Sequence, residues 1–197
     1  MSEITPTRAA VLELQDERRA MHEGYEFLDE KRLLLAAEML RELKRYESLW
    51  AEFQKSLQDA TNALRETVSR HGFEGVQIYP AARLADAAFE IEPQSLLGVR
   101  LQQAKLRASL GATPEAINPS PEAEHCRRVF LVVIEQSATL AAIGGNLERL
   151  RHEYRRTERR ARALEDVLLP EITGTIHDLE SRLEEVDQEE AIRVRQA

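Results

Sequence analysis

Cysteine is nearly missing from this chain: Cys126 is the only one in 197 residues, which excludes an internal disulfide and any zinc cluster built on several thiolates. Aromatic residues are few, at 5%, and Gly (8) and Pro (7) are scarce and unevenly placed. Set beside 31% charged residues and abundant Ala, Leu, Glu and Arg, these shortages describe long helices and coiled coils. Lysine is rare too, since only Lys31, Lys44, Lys55 and Lys105 stand among the 27 basic residues and the rest are arginine. Arginine suits planar, bidentate contact with carboxylates, as at protein interfaces, although coding bias gives the same enrichment. A net charge of −8 argues against a chain built to embrace nucleic acid. The longest unbroken apolar run, Val129 to Ile134, falls far short of the roughly 20 residues that cross a bilayer. Met-Ser-Glu-Ile-Thr-Pro has neither the basic nor the apolar part of a signal peptide. The expectation is a soluble, cytosolic chain that can sit on a membrane complex.

Three regions follow from the periodicity: residues 6–70, 71–120 and 121–192. In the first, Thr5-Pro6 reads as an N-cap followed by proline at the first helical position. Apolar residues then recur at steps of three and four through Val11, Leu14, Met21, Tyr25, Leu28, Leu35 and Met39, with Arg18 and Arg32 at seam positions. Beyond Met39 the apolar line continues as Leu43, Tyr46, Trp50, Phe53, Leu57, Ala60 and Leu64. Its two consecutive fours, 35 to 39 to 43, predict a stutter. Gly72 predicts the helix end.

In the last region Ser120-Pro121-Glu122 is a helix start, and Ile143, Leu147, Leu150, Tyr154, Thr157, Ala161, Leu164 and Leu168 form a second line. That line resumes as Ile172, Ile176, Leu179, Leu183 and Val186, again after a run of fours, with Pro170 inside it to kink or loosen the helix. Gly144-Gly145 reads as a bend or a close helix contact. Two continuous helices of this length would each reach roughly 95–105 Å at about 1.5 Å per residue. They must pair with each other, so the predicted fold is an all-α, antiparallel two-helix coiled coil with a small central insert of short helices and a β-hairpin. Within the insert, Phe73 to Ile78 and Ala88 to Glu92 alternate with period two. A turn at Pro93-Gln94-Ser95 leads to Leu97-Gly98-Val99-Arg100-Leu101, so a hairpin around that turn is expected. Gly111-Ala112-Thr113-Pro114 and Asn118-Pro119-Ser120-Pro121 are loop punctuation.

The search for chemistry finds little. No Walker loop and no G-x-G-x-x-G after a strand is present, so no nucleotide site is visible and no cofactor is expected. His22, His71, His125, His152 and His177 include no pair at metal-ligand helical spacing, so no metal is expected. Cys126 beside His125 is an ordinary buried thiol by default, because helical neighbours point about 100° apart and no third group orients them. Glu184-Glu185 and Glu189-Glu190 read as a solvated helix end. The sharper constellation is arginine: Arg151, Arg155, Arg159 and Arg162 on one side of the second seam, Arg149, Arg156 and Arg160 on the other. These stripes are either a solvated face balanced by acids of the opposing helix, or a positive band for an acidic partner.

Arg162-Ala163-Leu164-Glu165-Asp166-Val167-Leu168-Leu169-Pro170, followed by Thr175-Ile176 and an acidic helix with Glu180, Glu184 and Glu185, resembles the C-terminal signature of the D subunit of V-type and A-type rotary ATPases. Pro6-Thr7-Arg8 is similar to that family's start, and Gly24 with Lys31-Arg32 to a later stretch of its first helix. Leu97-Gly98-Val99 and Leu110-Gly111-Ala112-Thr113-Pro114 are similar to its central loops. Arg162, Asp166 and Glu171 depart from the family pattern.

The resemblance implies a non-catalytic rotor shaft, in which the two helices stand inside a hexamer of catalytic and non-catalytic subunits. Below it, the insert grips the small F subunit of the central stalk and the socket subunit of the membrane rotor. The chain would be cytoplasmic and peripheral to the membrane, without inserting in it and without binding nucleic acid. It further implies hexamer contacts at Pro6, Thr7, Arg8, Lys31, Arg32, Arg159, Arg160, Leu164, Glu165, Pro170 and Ile176, and a contact with the small stalk protein at Leu97, Gly98 and Val99. The stutters and Pro170 are expected to make such a shaft eccentric. A standalone coiled-coil scaffold explains the periodicity but not the ordered motifs. A nucleic-acid-binding helical hairpin uses the arginines but conflicts with the net charge.

Overall fold

A computed structural model describes residues 5–80, 84–110 and 115–196. The elements are α1 (Arg8–Ile78), β1 (Leu84–Leu96), β2 (Val99–Leu110), α2 (Pro121–Ala163), a π-turn (Leu164–Leu168) and α3 (Leu169–Gln196). They form the antiparallel helical pair and two-stranded antiparallel hairpin that the sequence predicts. The motif at Gly111 to Pro114 lies outside the described residues. The chain divides into two compact units, Met1–Ala36 with Glu153–Ala197, and Ala37–His152.

In the first unit α3 runs antiparallel to the start of α1, tied by Arg8 to Asp187 at 2.9 Å and Gln15 to Glu180 at 3.1 Å, and the end of α2 is tied to α1 by Lys31 to Glu153 at 2.6 Å. Its core is Val11, Ile172, Ile176 and Leu179, with Leu14, Met21 and Leu183 packed against them. Burying each such aliphatic side chain stabilises by about 1.5–3 kcal/mol. The N-cap is Thr7 rather than Thr5: its Oγ1 accepts from the Ala10 N–H at 3.2 Å, which leaves Pro6 outside the helix.

In the second unit α1 packs against α2 through Ala60, Ala63, Thr67, Ala123, Cys126, Val133, Leu140 and Ile143, all buried. Ser120 caps α2 as expected, its Oγ accepting from the Ala123 N–H at 3.2 Å. The helical stretch Pro121–Arg195 is long and apolar enough, by length and composition alone, to cross a membrane. Of its apolar residues Val133, Leu140 and Ile143 are buried, while Val132 and Ile134 lie on the surface.

The predicted stutter at 35–39–43 is absent. The buried and half-buried line of α1 runs 35, 39, 42, 46, 49, 53, 56, 60, 63, 67, alternating four and three without a slip. Glu42, not Leu43, takes the seam position, and Ser56, Ala60, Ala63 and Thr67 follow. Small side chains fill this seam, and the larger Leu43, Trp50, Leu57 and Leu64 are left beside it at 42%, 41%, 42% and 38% exposure.

Gly72 does leave the helical path, at φ 71 and ψ 169, but the helix resumes, and 73–78 is helical rather than extended. Extended backbone needs a partner ladder, and β1 spends its own on β2, so helical bonds satisfy this segment's amides instead. The hairpin turn is also displaced from Pro93-Gln94-Ser95 to Leu97-Gly98, both at positive φ (50 and 85), the two-residue turn whose twist suits a hairpin. Pro93 lies within β1 opposite Gln102. Since both backbone groups of Gln102 point outward to Asn146, Pro93 occupies the matching outward position, where a missing N–H costs the ladder nothing.

Candidate partner-binding surfaces

The residues singled out in the first unit separate into three kinds. Ile176 is buried at 4% exposure, and Leu164 packs toward Gly24, so both serve the unit's own interior. Arg8 and Arg32 are held by Asp187 and Asp29, and the Tyr25 hydroxyl bonds Glu165. Arg159, Arg160 and Pro170 are exposed. Arg162 is paired with Glu158 at 2.8 Å and Arg151 with Glu148 at 3.4 Å, whereas Arg155, Arg156 and Arg159 form no salt bridge among the described residues. Both of these acids stand on α2 itself, so among the described residues no carboxylate of the opposing helix forms a salt bridge with the band, and a cluster of positive charge faces outward.

Lys31 and Glu153 make the best shielded ion pair of this unit, their side chains 16% and 21% exposed. The Lys31 hydrogen bond, reinforced by Arg156 and Arg160, holds the Glu153 carboxyl below its ordinary value of 4.5. A depressed carboxylate contributes stability that is fully present above the unfolded value and fades as pH falls through the folded one. Lys31→Met is therefore expected to cost about 1 kcal/mol at pH 7, with the gap from wild type closing below pH 4.5, as urea unfolding at pH 7 and pH 3.5 would read.

At the hairpin, Leu97 and Gly98 form the turn, and Val99 is buried at 6% exposure, so of the contact expected for the small stalk protein only the turn itself is open. The hairpin is fastened to α2 along β2. The Asn146 side chain accepts from the Gln102 N–H at 2.8 Å and donates to the Gln102 carbonyl at 2.8 Å and to Glu42 at 3.3 Å. Arg149 adds bonds to the Arg100 carbonyl at 3.1 Å and the Gln102 side chain at 3.0 Å. A Cβ at Gly145 would lie 3.2 Å from the Arg149 guanidinium, so any larger residue there would push that side chain aside by a few tenths of an ångström. An asparagine on a helix face gives no hint, in sequence, of the strand it will bond.

Leu43, Trp50, Leu57 and Leu64, which periodicity runs into the seam, instead form a line beside it, spaced by seven and partly open to solvent. Beside its end lies an apolar groove of about 380 Å³ lined by Leu64, Leu84, Leu110, Cys126, Leu131 and Ile134. Burial pushes the Cys126 thiol above its ordinary value, as suits a packed rather than a reactive sulfur. The seven-residue spacing was readable, but only the structure tells it apart from the seam next to it.

Paired antiparallel helices, a docked hairpin insert and open charged and apolar stripes define an antiparallel coiled-coil protein. The chain belongs to the family of the ATP synthase D subunit, which it matches over residues 10–197. It is 26% identical to the V-type ATP synthase D subunit of Thermotoga neapolitana, covering 98% of this chain and 95% of that one. The A-type ATP synthase D subunit of Methanosphaera stadtmanae is 29% identical, with coverage of 94% and 89%. The V-type protein of Thermus thermophilus is 26% identical, with coverage of 99% and 87%.

Proposed function

We propose that this chain is the central-stalk rotor of a V/A-type ATPase, carrying torque between a catalytic hexamer and a membrane rotor ring while catalysing nothing itself. The observation that carries the reading is the open apolar line Leu43–Trp50–Leu57–Leu64. A chain that folds its own seam yet leaves a second seven-spaced stripe uncovered is built as one part of a larger assembly. Its spacing fits a helix lying along α1, and the small protein of the central stalk is the partner assigned to it, beside the Leu97-Gly98 turn. The outward arginines Arg155, Arg156, Arg159 and Arg160, with Pro6, Thr7 and Pro170, are assigned to the hexamer. Long-range attraction to an acidic ring, with few apolar anchors, allows the surfaces to slide. The exposed Phe73 and Ile78, at 76% and 73%, are assigned to the socket of the membrane rotor. The complex would be cytoplasmic and peripheral to the membrane.

Affinity isolation of the tagged chain from its own cells tests the assignment. Wild type is expected to bring down a small soluble stalk protein and the ATPase hexamer, and Trp50→Glu/Leu57→Glu to lose the small protein while keeping its melting temperature. Recovery of the chain alone, as a homodimer, would support the scaffold instead.

A further inference from the structure

The apolar line of the second helix obeys a strict seven-residue repeat from Ile143 through Leu150 and Thr157 to Leu164, interleaved with Leu147, Tyr154 and Ala161. Beyond the π-turn the buried residues are Ile172, Ile176 and Leu179, and their repeat stands one residue later than the one before it. Ile172 follows Leu164 by eight residues where the repeat calls for seven. In an unbroken α-helix an extra residue would swing everything after it by about 100°. The π-turn Leu164–Leu168 lies in the only interval where this extra residue occurs, and the Leu169 N–H bonds the Leu164 carbonyl, five residues back rather than four. The inner position accordingly falls on half-buried Leu169, while Leu168 is turned out at 39% exposure and Val167 at 57%. Pro170, which has no N–H to give, is the second residue after the turn. On the other side Leu164 is held near Gly24, and Glu165 by Tyr25.

We propose that the π-turn is a fixed re-phasing element: it absorbs one surplus residue and so returns Ile172, Ile176 and Leu179 to the side of Val11. Pro170 and the Tyr25–Glu165 bond keep the turn from migrating along the helix. This claim concerns the chain alone and stands or falls independently of the rotor assignment.

Thermal unfolding of the full-length chain tests it by deletion. Removing Val167 leaves an uninterrupted seven-residue repeat from Ile143 to Leu183, so the melting temperature is expected to stay within about 3 °C of wild type or to rise. Removing Glu148 instead turns Leu150, Tyr154, Thr157 and Ala161 off the seam and is expected to lower it by about 10 °C or more. A paired substitution reads the same register without deletion: Leu169→Glu should lower the melting temperature well below that of Leu168→Glu. Equal damage from the two deletions, or greater damage from Leu168→Glu than from Leu169→Glu, would overturn the proposal.

Discussion

Leu150→Ala is expected to lower the melting temperature of the isolated chain by roughly 6–12 °C, whereas Leu43→Ala should move it by less than about 3 °C. Both replace one leucine on a long helix, and sequence periodicity placed both on the seam. Leu150 is fully buried at 0% exposure, so truncation removes its transfer energy and leaves a cavity that two packed helices cannot close, about 3 kcal/mol in all. Leu43 is 42% exposed on the stripe beside the seam, and its loss costs the isolated chain little. Differential scanning calorimetry of the two variants separates the seam from the stripe. In the assembled complex the order should narrow or reverse, because there Leu43 gains a partner.

Asn146→Ala is expected to loosen the hairpin on α2, leaving the Arg149 and Thr139 bonds among its described side-chain ties. The substitution strands the Gln102 N–H and carbonyl, and it removes a donor from Glu42, itself only 7% exposed and left with the Arg45 ion pair at 3.6 Å. Two unpaired backbone groups at about 1–2 kcal/mol each, as suits a partly open edge, give a local loss of about 2–4 kcal/mol. At about 1.4 kcal/mol per tenfold, amide exchange in β2 should speed by roughly 30- to 800-fold. Hydrogen exchange read by mass spectrometry would localise the change to 99–104. Exchange spread evenly over the helices would mean that Asn146 supports the helical pair instead of the hairpin.

The architecture was legible because it rests on repetition: long stretches without glycine or proline, steps of three and four, and a break in texture between 71 and 120. Ser120 announced its helix by capping chemistry that acts within three residues. Errors arose where position depends on a partner. The seam after Met39 was drawn through the largest apolar side chains, yet helices approach most closely where side chains are small, so Ala60 and Ala63 are inside and Trp50 is beside them. Phe73 to Ile78 alternates like a strand but has no strand to pair with. Pro93 looked like a turn because its tolerance within β1 depends on which way Gln102 points. The run of fours before Ile176 was visible, and Pro170 with it; that both resolve into a π-turn required the backbone. Of the candidate surfaces, the arginine band was readable from spacing, while the burial of Ile176 and Val99 emerged only with packing.

The central claim is that this chain turns. The buried Cys126, 8% exposed and with its thiol shifted away from reactivity, leaves a cysteine introduced by Lys105→Cys as the selective site for a maleimide-linked bead. With the reconstituted hexamer fixed to glass through its catalytic subunits, ATP should drive the bead in one direction at a rate that follows hydrolysis. A bead that stays fixed on the hexamer while ATP is hydrolysed at the full rate would contradict the account.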